Sequence, residues 1–135
     1  MIKLISIFLI LMATFPSDTS ELTIIVKNIN SNKGQIIIGL CNSENTFPKE
    51  PFIRKSVPII DGQAKLVLSG IKFGEYAISV LHDKNNNNKL DFHFYGPPSE
   101  KTAASNNAKR MFGPPLWKDA KFSINKDKVS IIINM

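Results

Sequence analysis

The sequence predicts an all-β protein: an antiparallel β-sandwich of about seven strands, immunoglobulin-like or transthyretin-like, with one long irregular loop region at 83–118. Three observations predict it. Apolar residues alternate with period two in nearly every ordered segment, as they do in half-buried strands. Asn-, Asp- and Gly-rich turns separate those segments at short intervals. No segment places apolar residues at the helical spacing over three or more turns.

The chain has 135 residues, enough for one domain. Its opening, MIKLISIFLILMATFPSDTS, sets one cation, Lys3, before an apolar run from Leu4 to Ala13 and then small and polar residues. That order is the order of a secretory leader. A run of roughly ten apolar residues is well short of the ~20 that cross a bilayer as a helix. Residues 1–20 are therefore read as a signal peptide, with Ser17 and Ser20 as candidate cleavage positions, and 21–135 as a single β-sandwich domain. The alternative is an uncleaved anchor. Export places the protein in the periplasm, on the outer envelope or outside the cell, with no stable membrane span after cleavage. The lone cysteine, Cys41, lies far beyond the apolar run and cannot close an internal disulfide, so it reads as a small buried hydrophobe.

The strands follow in order. Leu22, Ile24 and Val26 share one face of the first. A turn at Asn30–Gly34 leads to Ile36, Ile38 and Leu40, which alternate with Gln35, Ile37 and Gly39. Pro48 and Pro51 break the pattern and mark a loop. Ile53 to Ile60 is extended, Asp61-Gly62 is a tight turn, and Ala64, Leu66 and Leu68 line the next strand. Gly70 and Gly74 bracket another turn before Tyr76, Ile78 and Val80. The C-terminus supplies Lys121–Ile124, a turn near Lys126-Asp127, and the alternating Val129, Ile131 and Ile133. An antiparallel sandwich with one wet face per sheet satisfies this pattern.

The net charge is +6, from 17 basic and 11 acidic residues. The cations are dispersed, with no run dense enough for a nucleic-acid footprint. A mildly basic surface suits anionic envelope polymers or lipid headgroups, and equally suits ordinary solvated lysines.

Chemistry concentrates in His82-Asp83-Lys84-Asn85-Asn86-Asn87-Asn88-Lys89-Leu90-Asp91. Counted from Asp83, oxygen-bearing side chains fall at positions 1, 3, 5 and 9, namely Asp83, Asn85, Asn87 and Asp91. Calcium takes six to eight hard oxygen ligands, and alternate residues of a tight loop turn toward one centre. A backbone carbonyl at Lys89 falls at position 7, and Glu100 supplies another carboxylate if the chain returns. Asn88, at position 6, is the best non-glycine residue for a left-handed backbone. Position 12 is Phe94, so the bidentate glutamate of an EF-hand is missing. Two readings stand: a calcium site of Asp83, Asn85, Asn87, Lys89, Asp91 and Glu100, or a solvated Asn-rich turn.

The stretch from Gly74 to Phe122 resembles the bacterial family known as domain of unknown function 2141. The shared features are Gly74-Glu75-Tyr76-Ala77, the His82–Asp91 string, Gly96-x-Pro98-x-Glu100, Ser105-Asn106-Asn107 and Gly113-Pro114-Pro115 followed by Asp119-Ala120-x-Phe122. The chain departs at Asn88, where the family usually has glycine, and around Lys101 to Ala104. The resemblance implies an exported β-sandwich and no particular activity.

Two aromatic, proline-rich segments remain, Tyr95-Gly96-Pro97-Pro98 and Met111–Trp117. Phe112 and Trp117 are expected to plug the open end of the sandwich. Alternatively, Tyr95, Phe112 and Trp117, with Ser105-Asn106-Asn107 between them, form a platform for a carbohydrate or peptide. His82 and His93 bracket the acidic loop and allow a third reading, a small metallo-hydrolase. No Gly-x-Ser-x-Gly, His-Glu-x-x-His or phosphate loop accompanies them. The sequence therefore predicts no enzyme, but a calcium-stabilised binding or structural module that meets an envelope or extracellular ligand.

Overall fold

The computed structural model of the chain describes residues 18–89 and 100–135. Most of the expected leader, together with Leu90, Asp91, His93, Tyr95 and the Gly96–Pro98 segment, lies outside the described residues. The elements run β1 (Thr19–Lys27), β2 (Gln35–Cys41), β3 (Ile53–Pro58), β4 (Ala64–Lys72), β5 (Gly74–Asp83), β6 (Thr102–Ala104), a 3-10 turn (Ser105–Asn107), α1 (Trp117–Ala120), β7 (Phe122–Ile124) and β8 (Lys128–Asn134).

Two sheets result. The smaller has the order β4-β1-β8. The larger has the order β3-β2-β5-β6, with β7 also on β5. Residues that alternate in the sequence meet between the sheets: Leu22, Ile24 and Val26 from β1, Ile36, Ile38 and Leu40 from β2, Tyr76, Ile78 and Val80 from β5, and Val129 and Ile133 from β8. Each fully buried aliphatic side chain contributes about 1.5–3 kcal/mol relative to exposure. Every core residue lies C-terminal to Ser17, so the chain from Asp18 onward holds the whole described core.

The all-β sandwich stands, with eight strands among the described residues instead of about seven. Four details differ from the sequence reading. First, β1 pairs with β8 in parallel, Leu22 opposite Val129 and Val26 opposite Ile133. The chain reaches β8 by crossing over from the larger sheet, so no hairpin forces it to run antiparallel to its neighbour. Second, Gly70 lies inside β4, not in a turn. The register slips between Ser20 and Leu22 opposite it, a β-bulge with Gly70 at φ 71°. Third, 83–118 is not wholly irregular, since β6, the 3-10 turn and the start of α1 fall within it. Fourth, β1 begins at Thr19, two residues before the boundary read from the sequence. Ser20 is 2% exposed and donates its hydroxyl to the Asp127 carbonyl at 3.2 Å.

β3 keeps Arg54 and Ser56 exposed, but over β2 and most of β5 the larger sheet also lacks the wet face expected of it. Its outer side is roofed by the 42–52 loop and by the segment from the 3-10 turn to α1. Ala77, Ala104 and Ala120 form a second buried cluster there, against Phe47, Ala108 and Trp117. Pro51 sits over Gly39, where a Cβ would come within 2.9 Å of the proline ring. Burial on both faces explains why β2 reads Gln-Ile-Ile-Ile-Gly-Leu-Cys, a continuous apolar run, and is buried from Ile36 through Cys41.

Cys41 ends that run fully buried, and its Sγ lies 3.8 Å from the Thr46 carbonyl oxygen. Burial pushes its thiol above the ordinary range, with the contact to Thr46 acting in the opposite direction. The thiol is expected to ignore an aromatic disulfide reagent in the native protein at pH 8 and to react fully in denaturant. Rapid native labelling would show that the roof opens readily.

Candidate functional site

The acidic loop grows from the ends of β5 and β2. Gln35 pairs with Asp83 across the ladder, so the two side chains stand on one face. Gln35 Nε2 donates to Asp83 Oδ2 at 2.8 Å. The same Nε2 donates to Asn88 Oδ1 at 3.0 Å. Beneath this pair, Gly34 adopts φ 82° and presses against the Asp83 backbone, where a Cβ would lie 2.2 Å from the Asp83 carbonyl oxygen. Only glycine fits such an approach.

Asp83 is fully buried, and its carboxylate organises the turn above it. Oδ2 accepts from the Asn88 amide at 2.9 Å, and Oδ1 accepts from the Asn87 amide at 3.3 Å. Asn85 Oδ1 accepts from Asn87 N and Asn87 Oδ1 from Lys89 N, each a two-residue Asx turn. Asn86 and Asn88 take φ values of 55° and 62°, the left-handed backbone read for Asn88 from the sequence. Arg54, from β3, donates to the Asn88 carbonyl. Among the described residues, no lysine or arginine pairs with Asp83 itself.

Glu100 returns to this turn. It is 8% exposed, and its Oε2 accepts from the Lys84 amide at 2.7 Å. A fully buried carboxylate, Asp83, and a nearly buried one, Glu100, therefore both accept from backbone amides of one loop. Asp83, Asn85, Asn87, Lys89 and Glu100 are brought together at its base and rim, while Asp91 lies outside the described residues. Among the described residues, no cluster of three or more His, Cys, Asp and Glu side chains gathers as a ready metal site.

The other candidates separate. His82 is 2% exposed and faces the core beside Ile36; its Nε2 lies 2.8 Å from the Lys33 carbonyl oxygen. The ring ties the β2 entry turn to β5. His93, its suggested partner, lies outside the described residues. Trp117 does not plug the end of the sandwich. It packs edge-on against Phe47, at 6.1 Å and 64°, over the outer face of the larger sheet. Phe112 is 80% exposed and joins neither Trp117 nor the core.

Ser105-Asn106-Asn107, placed in a ligand platform by the sequence, is a structural staple instead. Ser105 is fully buried, and its hydroxyl donates to the Ala120 carbonyl at 2.6 Å and accepts from the Ile78 amide at 2.9 Å. Asn106 donates to the Asp119 and Lys121 carbonyls. Asn107 accepts from the Asn134 amide at 3.0 Å. Three consecutive side chains thus join β5, α1 and β8. Both asparagines hold positive φ, which removes the turn from ordinary helical geometry and aims their amides outward at neighbouring backbone.

Among the described residues, the start of the acidic string and Ser105-Asn106-Asn107 thus occupy defined structural posts, and the comparison with known sequences covers both. The family described as uncharacterized protein conserved in bacteria (DUF2141) matches residues 24–132. This chain belongs to that family. The match runs from β1 into β8 and so covers both sheets, the acidic loop and the staple. No curated protein and no solved structure matches the chain.

Sequence reasoning missed Gln35, Arg54 and the staple. Gln35 becomes visible only once the register sets it opposite Asp83. A buried hydroxyl with two backbone partners has no periodic signature. Ser105→Ala is expected to cost about 2–3 kcal/mol in a denaturant titration, because it strands the Ile78 amide and the Ala120 carbonyl in a dry site. A loss below about 0.5 kcal/mol would show that water replaces the hydroxyl there.

Proposed function

We propose that this protein is an exported β-sandwich module that acts by binding or by structural support, and that its 83–100 loop holds a calcium ion. The observation that carries the ion is the fully buried Asp83 carboxylate, which has N–H donors but, among the described residues, no cationic side chain, on the same loop whose Lys84 amide the nearly buried Glu100 caps. Two carboxylates closing on one turn repel each other, and a divalent cation offsets both charges at once. Among the described residues, Asp83 Oδ2 takes two donors near 2.9 Å, while Oδ1 takes a single longer one at 3.3 Å and so has lone-pair capacity toward a metal. Asn85, Asn87, Lys89 and Asp91 would complete an all-oxygen shell, the donor set that calcium prefers. Bound there, the ion would supply charge compensation and rigidity and no redox or hydrolytic chemistry.

Hydrolysis through His82 finds little support. A ring with 2% exposure, bonded to a backbone carbonyl, is a poor base for an incoming substrate. A binding role rests on the stiffened loop and on the exposed apolar tip near Phe112. Among the described residues, no helix is long and apolar enough to cross a membrane.

A thermal melt in chelator and then in millimolar calcium tests the ion. A site with Kd near 0.1 mM stabilises by roughly 1.4 kcal/mol at 1 mM calcium, a rise of several degrees for a domain of this size. Asp83→Ala is expected to lower the midpoint in both buffers, since it also removes three hydrogen bonds. Glu100→Gln and Asn85→Ala each also weaken or remove a hydrogen bond to a loop amide, so both are expected to lower the midpoint in chelator and, beyond that, to lose the calcium-dependent increment. A wild-type midpoint indifferent to calcium would leave the loop as a self-satisfied Asx turn.

Export carries its own expectation. Because β1 begins at Thr19 and the Phe73 amide donates to the Asp18 carbonyl at 2.9 Å, cleavage should leave Asp18 attached. Intact mass of the protein recovered from the cell envelope is expected to place the new N-terminus at or before Asp18. A mass matching the full chain would point to an uncleaved anchor.

A further inference from the structure

Met111 and Phe112 are the most exposed large apolar residues among those described, at 88% and 80%. They are neighbours at the tip of one loop, and Leu116, at 37%, follows on the same segment. Scattered exposed hydrophobes are ordinary; an adjacent pair held out on a rigid support is not.

The support is fixed at both ends. On the N-terminal side, the Ala108 amide donates to the Ser105 carbonyl at 3.2 Å, directly behind the staple. On the C-terminal side, Trp117 and Ala120 pack into the outer cluster. At the tip, Arg110 folds back over Gly113, which sits at φ 83°, and its Nε donates to the Phe112 carbonyl at 2.6 Å. Pro114 and Pro115 stiffen the return. The two apolar side chains are therefore presented without the ordering entropy that a floppy loop would lose on docking.

The charge directly before the tip is basic. Lys109 and Arg110 immediately precede the apolar pair and Lys118 follows it, all three exposed; the nearest acid along the segment is Asp119, beside Lys118 and seven residues beyond Phe112. Exposed apolar side chains flanked by cations match the water–lipid boundary of an anionic bilayer, where apolar groups enter the acyl region and cations meet the headgroup phosphates. A purely protein partner would be served by the apolar pair but gives no reason for the two cations set directly before it.

We infer that the 109–116 loop is a membrane-surface docking tip, with Met111 and Phe112 entering an anionic phospholipid bilayer and Lys109, Arg110 and Lys118 holding its headgroups. Attachment of this kind is peripheral and reversible. It depends on neither calcium nor the acidic loop.

The test uses the chain from Asp18 onward, which keeps the whole described core, sedimented with phosphatidylcholine vesicles with and without phosphatidylglycerol, in chelator. Binding is expected only where phosphatidylglycerol is present, and it is expected to fall as salt rises. Met111→Ser and Phe112→Ser should each lower the partition coefficient by about tenfold or more. Lys109→Gln and Lys118→Gln should each lower it by about fivefold. Trp117, the sole tryptophan, is expected to change its emission on binding in the wild type and not in the double serine variant. The variants alter exposed positions, and unchanged melting midpoints would show that they fold. No binding to phosphatidylglycerol vesicles, equal binding to both vesicle types, or a double serine variant that partitions like the wild type would each overturn the inference. The first result would do so even if the tip proved to hold a protein.

Discussion

The rest of the structure depends on β5. It is the only described strand with a neighbour on one side, β2, and two short strands, β6 and β7, sharing the other. From Tyr76 onward it is also buried or half-buried on both faces. Tyr76, Ile78 and Val80 point into the sandwich, while Ala77 lies under the roof with Ala104 and Ala120. A strand with no free edge and no wet face has few ways to slip, because a shift of one residue would exchange large side chains for small ones throughout. The acidic loop inherits that rigidity, since Asp83 is the last residue of the strand.

The two faces of β5 follow different packing rules, and this decides how much of the fold was legible. Between the sheets, large aliphatics alternate with others, so Leu22–Val26, Tyr76–Val80 and Val129–Ile133 could be read directly. Under the roof the residues are small: Ala77, Ala104, Ala120 and Gly39 let the covering loop and α1 approach closely. Small residues carry almost no periodic signal, so the roof was invisible in the sequence and a wet face was expected in its place. The parallel β1–β8 pair was hidden for a related reason. Alternation tells which face a strand buries, but not the direction in which its neighbour runs.

The acidic loop was legible in composition and only partly in arrangement. Its asparagines were recognisable as oxygen donors and as residues tolerant of left-handed backbone, and both properties are used in the structure. What spacing alone could not supply was the competition between uses. The Asp83 oxygens accept two amides and the Gln35 side chain, so the carboxylate is first a framework for the turn. Any ion held there adds to a preformed loop instead of nucleating one. The His82 and Ser105 side chains carry the same lesson: residue types that read as chemistry are here committed to backbone atoms far away in sequence.

The parallel pairing of β1 with β8 has a consequence for the timing of folding. The middle strand of the smaller sheet is the first of the described strands to emerge, and one of its two neighbours is the last. Ser20 and Asp127, joined by a hydrogen bond, stand 107 residues apart. Until nearly the entire chain is free, β1 lacks an edge partner, and Ile131 and Ile133 are missing from the core. Such long-range closure folds slowly and late. A chain built this way stays pliable until its last strand is free, and locks only then.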